Sequence, residues 1–157
     1  MPSQVLGSGL DFEQNVNFVG MMDADEYNKL TVIVIKSIRE YLGHSTEQLA
    51  RALNIKENEY KRLESMEVEM TVGQCHAITA IMGFSILYMF SISEAYDKFN
   101  VKSMSESEIQ ERIQEIWFNV HERIGIDKEG YDFFKTNLAP ILLQIKETQV
   151  NFDVSRS

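Results

Sequence analysis

Four polar side chains between Lys56 and Arg62 have the chemistry for reading DNA. Asn58 can bond bidentately to adenine and Arg62 to guanine, and such a pair discriminates between bases by about 1–3 kcal/mol. Lys56 and Lys61 can neutralise phosphates, which adds affinity without sequence preference. A run of charged residues is more often only a solvated helix face, so the argument depends on the element that carries these side chains.

The segment Ser45–Glu64 predicts two short helices joined by a tight turn. In the second helix, Tyr60 and Leu63 are expected to point inward. The outward side then carries Glu57, Asn58, Lys61 and Arg62. A helix presented in this way suits the major groove of DNA.

Acidic residues within and just after this helix oppose that interpretation, because DNA is a polyanion. They are Glu57, Glu59, Glu67 and Glu69. The whole chain carries a formal net charge of −9, and no segment of it is a basic patch. We therefore expect its nonspecific affinity for nucleic acid to be weak and strongly dependent on salt.

The composition is that of an ordinary soluble protein, with 157 residues, 44% hydrophobic and 25% charged. The single cysteine, Cys75, excludes an internal disulfide and fits a reducing cytoplasm. No signal peptide is evident, and the longest apolar run, Ile78 to Ile92, is too short to span a bilayer. We expect a cytoplasmic protein that does not enter the membrane.

Helix signals divide the N-terminal part of the chain. Residues 1–22 are expected to form a flexible arm, and residues 23–99 a domain that begins with a helix ending at Gly43. Capping boxes predict helix starts at Ser45 with Gln48, Thr71 with Gln74, and Ser105 with Glu108. Asn54 and Gly83 are expected to end helices. Ser85 is expected to cap a short fifth helix carrying Ile86, Met89 and Phe90.

The C-terminal part is predicted to be a separate helical region. Residues 100–105 read as a linker, residues 105–149 as helices with a kink or a new start at Pro140, and residues 150–157 as a frayed tail. An apolar stripe marks its first helix, formed by Ile109, Ile113, Ile116, Val120 and Ile124 with Trp117 beside it.

Two interpretations of the apolar stripe remain open. It could pack within its own subunit against Phe134 and Leu138, or it could form a dimer interface. Two helices alone make a thin core, which favours a homodimer. The residues expected to dimerise are Ile109, Ile113, Ile116, Trp117 and Val120.

Residues from about 35 to 90 resemble the Cro/C1-type, or Xre, family of helix-turn-helix regulators. The matching positions are Ile35, Arg39, Gly43, Ser45, Glu47, Leu49, Ala50, Leu53, Ile55, Leu63 and Glu64. The segment ITAIMGFSILYMF is similar to the closing helices of that family. The resemblance implies an all-α, five-helix bundle that binds DNA as a dimer.

The resemblance also implies roles for individual residues. Ser45 and Thr46 would contact phosphates, and Arg39 would pair with Glu64. The recognition helix would contribute Lys56, Glu57, Asn58 and Arg62. The chain departs from the family pattern at Met66, where glycine is common, and in the acidic loop MEVEM.

No catalytic or metal-binding pattern emerges. Cys75 and His76 lack partners at zinc-ligand spacing, and His44 and His121 are isolated. No arrangement of Ser, His and Asp or of Cys and His indicates a nucleophile. We therefore expect neither an enzyme nor a cofactor nor a metal site.

Two hypotheses follow. The first is a dimeric, sequence-specific DNA-binding transcriptional regulator, an all-α five-helix bundle followed by a C-terminal helical dimerisation region. The second keeps the same scaffold as an interaction module, whose acidic face binds a protein partner instead of double-stranded DNA.

Overall fold

The computed structural model describes residues 22–125 and 128–156, and this part of the chain is all-α. Its helices are α1 (Ala24–Leu42), α2 (Thr46–Leu53), α3 (Glu57–Glu64), α4 (Val72–Met82), α5 (Ile86–Lys98), a short 3-10 helix (Val101–Ser103), α6 (Glu106–Glu122) and α7 (Tyr131–Arg156). The expected arm at residues 1–22 lies outside the described residues except for Met22, which packs partly buried on the core.

Local capping chemistry sets the helix starts where the sequence predicts them. Reciprocal capping boxes open α2 at Ser45, α4 at Thr71 and α6 at Ser105. Asn54 adopts the left-handed conformation at the end of α2, with φ of 60°. Gly43 and Gly83 end α1 and α4 in the same conformation.

Helix α1 is the central element of the fold. It packs against α7, α5, α4 and α3. The β-branched run Val32–Ile35 is buried on every side, which explains why it is helical despite its preference for strands. Burial of all four residues therefore outweighs their intrinsic propensity.

Helix α5 is longer than the predicted short helix, and the predicted linker after it is packed into the core. Phe90, which this helix carries, is 41% exposed. Val101 and Met104 are buried. One hydrophobic core therefore includes residues from both the N-terminal bundle and the C-terminal helices.

The apolar stripe of α6 packs inside its own chain, against α5 and α7. Ile109, Ile116 and Val120 are fully buried and Trp117 nearly so, while Ile113 is partly buried against the same core. The prediction that these residues form a dimer interface is therefore corrected, because their surfaces are already covered by the subunit itself.

Helix α7 continues without interruption through Pro140 to Arg156, so the predicted frayed tail is helical up to that residue. The Lys29 ammonium lies 2.9 Å from the Asp153 carboxylate. The Tyr96 hydroxyl donates to the Gln149 side chain at 2.6 Å. These contacts attach the last turns of α7 to α1 and α5.

The turn before α7 approaches the α4–α5 turn too closely for a side chain. Gly130 has φ of +101°, and a Cβ there would lie 2.8 Å from the Cβ of Phe84. The Ser85 amide donates to the Glu129 carbonyl at 3.1 Å. Glycine is required at this position by both its backbone angle and its neighbour.

No single helix among the described residues is long and apolar enough to cross a membrane. Helices α4 and α5 pass that test only when taken together, and they are bent by 105° relative to each other.

Candidate nucleic-acid interface

Helices α2 and α3 place the predicted contact residues on the surface. Each helix has eight residues, and three residues separate them. Tyr60 and Leu63 are buried under α3, as predicted. Asn58, Lys61 and Arg62 are exposed on its other side.

The predicted pair between Arg39 and Glu64 is present and buried, with 7% and 5% of each residue exposed. The Arg39 Nε donates to Glu64 Oε2 at 2.7 Å and an Nη to Oε1 at 2.9 Å, which is bidentate geometry. The other Nη donates to the His44 carbonyl at 2.8 Å. The Tyr60 hydroxyl donates to Glu64 Oε2 at 2.7 Å. This network fixes the end of α3 against α1 and the turn before α2.

The network also changes the titration of its members. Burial, followed by the charge of Glu64, raises the pKa of the Tyr60 hydroxyl. Burial acts to lower the pKa of Arg39, but its hydrogen bonds and charge attraction with Glu64 outweigh that effect, and the pKa is raised. Both groups therefore keep the protonation state that the hydrogen bonds require.

A carboxylate occupies the space between the first turns of α2 and α3. The Thr46 hydroxyl donates to Glu57 Oε2 at 2.7 Å. This bond, followed by the charge of Lys61 at 3.6 Å, lowers the pKa of Glu57. The Ser45 hydroxyl accepts a hydrogen bond from the backbone amide of Gln48. Two of the predicted phosphate-contacting hydroxyls are thus already engaged within the chain.

Most cations on this face have an acidic neighbour. Lys61 pairs with Glu57, Arg62 with Glu67 at 3.5 Å, and Arg51 with Glu47 at 3.0 Å. These side chains are largely exposed, and exposed pairs are typically worth under about 1 kcal/mol. They therefore reduce the attraction for phosphates without preventing the cations from rearranging.

The loop after α3 holds residues whose placement the sequence analysis missed. Met66, Val68 and Met70 line a groove between this loop and α1, while Glu67 turns to Arg62. The signal in the sequence is the alternation of apolar and acidic residues in MEVEM. Met66 has φ of +67°, a conformation that is uncommon for a side chain of this size.

No group of three His, Cys, Asp or Glu residues in ranges 22–125 and 128–156 is arranged to hold a metal ion. Comparison of the chain with protein-family models, curated proteins and solved structures finds no match.

Proposed function

We propose that the chain is a cytoplasmic, sequence-specific DNA-binding transcriptional regulator of the Cro/C1 helix-turn-helix type that acts as a dimer and is not an enzyme. The supporting observation is the exposed polar side of α3, held rigidly by the buried pair of Arg39 and Glu64. A short helix fixed in this way can enter the major groove without a change of fold.

Each contact residue has a separate role in this proposal. Asn58 and Arg62 read base edges, and Lys56 and Lys61 approach phosphates together with the first turn of α2 at Ser45 and Thr46. On binding, Arg62 leaves Glu67 and Lys61 leaves Glu57. Each exchange gives up under about 1 kcal/mol, whereas one bidentate base contact discriminates by about 1–3 kcal/mol.

Glu57 contributes selectivity in this scheme. Its carboxylate stays bonded to Thr46 and faces outward at the start of α3. A carboxylate can accept from the cytosine N4 amino group, whereas it repels a nearby phosphate. The geometry thus supports binding that depends on sequence more than on charge.

A dimer in this proposal uses a surface other than the stripe of α6. Exposed apolar side chains on α4 and on the outer side of α6, namely Ile81 and Phe118, remain available for it. Two copies are needed to read a palindromic site.

Single substitutions separate the proposed base-reading and phosphate roles. On a duplex selected by the protein, Arg62→Ala should relax base preference, whereas Lys56→Ala should weaken binding to all sequences alike. Fluorescence anisotropy with the matched and a scrambled duplex measures both effects. Equal losses on both duplexes for both variants would contradict the assignment.

A second function is favoured by one observation. Lys61, Arg62 and Arg51 on this face each lie beside a carboxylate, and the chain carries a net charge of −9. The same surface could bind a protein partner instead of DNA. A log–log plot of DNA affinity against salt distinguishes the two, because DNA binding requires a negative slope that reflects several phosphate contacts.

A further inference from the structure

A solvent-open groove lies behind α3, between α1 and the loop that precedes α4. Its volume is about 320 Å³. Buried Val32 and Cys75 form part of its lining together with Met70. This is enough space for one large apolar side chain, and no described residue of the chain fills it.

The walls of this groove are apolar side chains left partly in water. Val72 is 71% exposed at the first turn of α4, and Val68 and Phe90 are also exposed. The ring of Phe90 also lines a second cavity of about 210 Å³ beside Leu87. Because the two cavities share this ring, the apolar surface continues from one cavity to the other. Contiguous apolar surface of this kind is typical of a binding site.

Met66 lines the groove at the end of α3 and adopts a left-handed backbone, where glycine would be free of strain. The Glu67 amide donates to the Arg62 carbonyl at 3.0 Å, so this conformation ends the helix. Glycine at this position would therefore keep the turn while removing the Met66 side chain from the groove.

The rim of the groove is acidic. Asp25 and Glu69 both line it, and neither forms an ion pair with a Lys or Arg among the residues that the structure describes. Glu69 accepts a hydrogen bond from Asn28 at 3.2 Å, which holds the loop against α1. An apolar cleft with two carboxylates that have no Lys or Arg partner among the described residues complements an apolar side chain that has basic neighbours.

We propose that this groove docks a segment of a partner protein that carries a large aliphatic or aromatic side chain flanked by Lys or Arg. The apolar side chain enters between Val68, Val72 and Phe90, and the cations meet Asp25 and Glu69. The site lies apart from the exposed face of α3, so a regulator that binds DNA can hold its partner at the same time.

The test starts from a phage library of random twelve-residue peptides selected on the full-length protein. Enriched peptides, synthesised with fluorescein, should contain a large apolar residue next to Lys or Arg. Val72→Asp should weaken their binding at least tenfold, and the double variant Asp25→Asn/Glu69→Gln at least threefold. Val150→Asp, which replaces an exposed valine on α7 away from the groove, is the matched control and should leave binding unchanged.

Met66→Gly separates docking from folding. It should weaken peptide binding at least threefold while the Tm stays the same or rises, because glycine relieves the left-handed strain. Thermal melts of each variant show that the fold is retained. The Val72→Asp variant should fold, because its carboxylate lies at the exposed first turn of α4, where a negative charge interacts favourably with the helix dipole.

Several results would overturn the proposal. The selection could enrich no peptide or only acidic peptides, or the wild type and Val72→Asp could bind the enriched peptides equally well. A dimer in sedimentation that Val72→Asp dissociates would instead assign the groove to a second copy of the chain. The DNA affinity of Val72→Asp, measured in parallel, should match the wild type, so failure here is distinguishable from failure of the proposed DNA-binding function.

Discussion

Removing Arg39 tests the element that holds α3 in place. Arg39→Ala deletes both hydrogen bonds to Glu64 and the one to the His44 carbonyl. The Glu64 carboxylate remains buried with the Tyr60 hydroxyl as its remaining hydrogen-bond donor. Breaking a buried pair by removing one partner costs about 3–5 kcal/mol, because one charge is left uncompensated.

This cost is large compared with the stability of a protein of this size. A domain unfolds with a free energy of about 5–15 kcal/mol, and each kcal/mol lowers the Tm by about 2–4 °C at 150–250 residues. We therefore expect Arg39→Ala to lower the Tm by about 6–20 °C. Urea unfolding followed by the fluorescence of the single Trp117, which is nearly buried, measures the free energy directly.

Arg51→Ala is the matched control, because it removes an arginine from an ion pair on the surface. Arg51 and Glu47 are 72% and 65% exposed in their side chains, so the expected loss is under about 1 kcal/mol. The double variant Arg39→Met/Glu64→Leu should be more stable than Arg39→Ala, since no charge is then stranded. Equal losses for Arg39→Ala and Arg51→Ala would refute the argument that burial makes the pair important.

Three further predictions concern single substitutions measured by urea unfolding. Gly130→Ala should cost at least about 2 kcal/mol because of its positive φ and the contact with the neighbouring turn. Gly73→Ala, inside α4, should be neutral or stabilising by up to about 1 kcal/mol, because its Cβ would meet only the Thr71 hydroxyl, at 3.8 Å. Equal changes in unfolding free energy for Gly130→Ala and Gly73→Ala would contradict this explanation. Tyr88→Phe should be neutral or stabilising, because the buried Tyr88 hydroxyl has no hydrogen-bond partner among the described residues; burial raises its pKa to about 12. Tyr96→Phe should cost about 1 kcal/mol, because it loses the hydrogen bond to the Gln149 side chain. A larger loss for Tyr88→Phe than for Tyr96→Phe would be inconsistent with these contacts. Thr46→Val removes the hydrogen bond that lowers the pKa of the Glu57 carboxylate. This stabilisation is present above the ordinary Glu range and is lost as the pH falls through the lowered pKa, so the cost of Thr46→Val should be largest near neutral pH and shrink in acid. A cost of Thr46→Val that does not change with pH would argue against a stabilising role for this hydrogen bond.

Features encoded by neighbouring residues could be predicted from the sequence. The capping boxes at Ser45, Thr71 and Ser105 each join residues three positions apart, so their pattern is readable without the fold. The pair of Arg39 and Glu64 spans 25 residues of sequence. It was anticipated only through the family resemblance.

Features set by tertiary packing could not be predicted in the same way. The stripe of α6 indicated an apolar face but not what would cover it, and α5 and α7 of the same chain do so. Phe90 has apolar neighbours at helical spacing, yet it lies on the outer side of α5. The groove beside Met66 depends on how the loop folds against α1, which alternation along the sequence cannot determine.

The most direct test of the central claim is selection of bound sequences from random duplexes at near-physiological ionic strength. The account predicts enrichment of a palindrome whose half-sites lie about 34–36 Å apart, one turn of the double helix. It also predicts that Asn58→Ala and Arg62→Ala each erase a defined base from that motif. Failure to enrich any sequence, or enrichment unaffected by either substitution, would contradict the claim that the exposed side of α3 reads DNA.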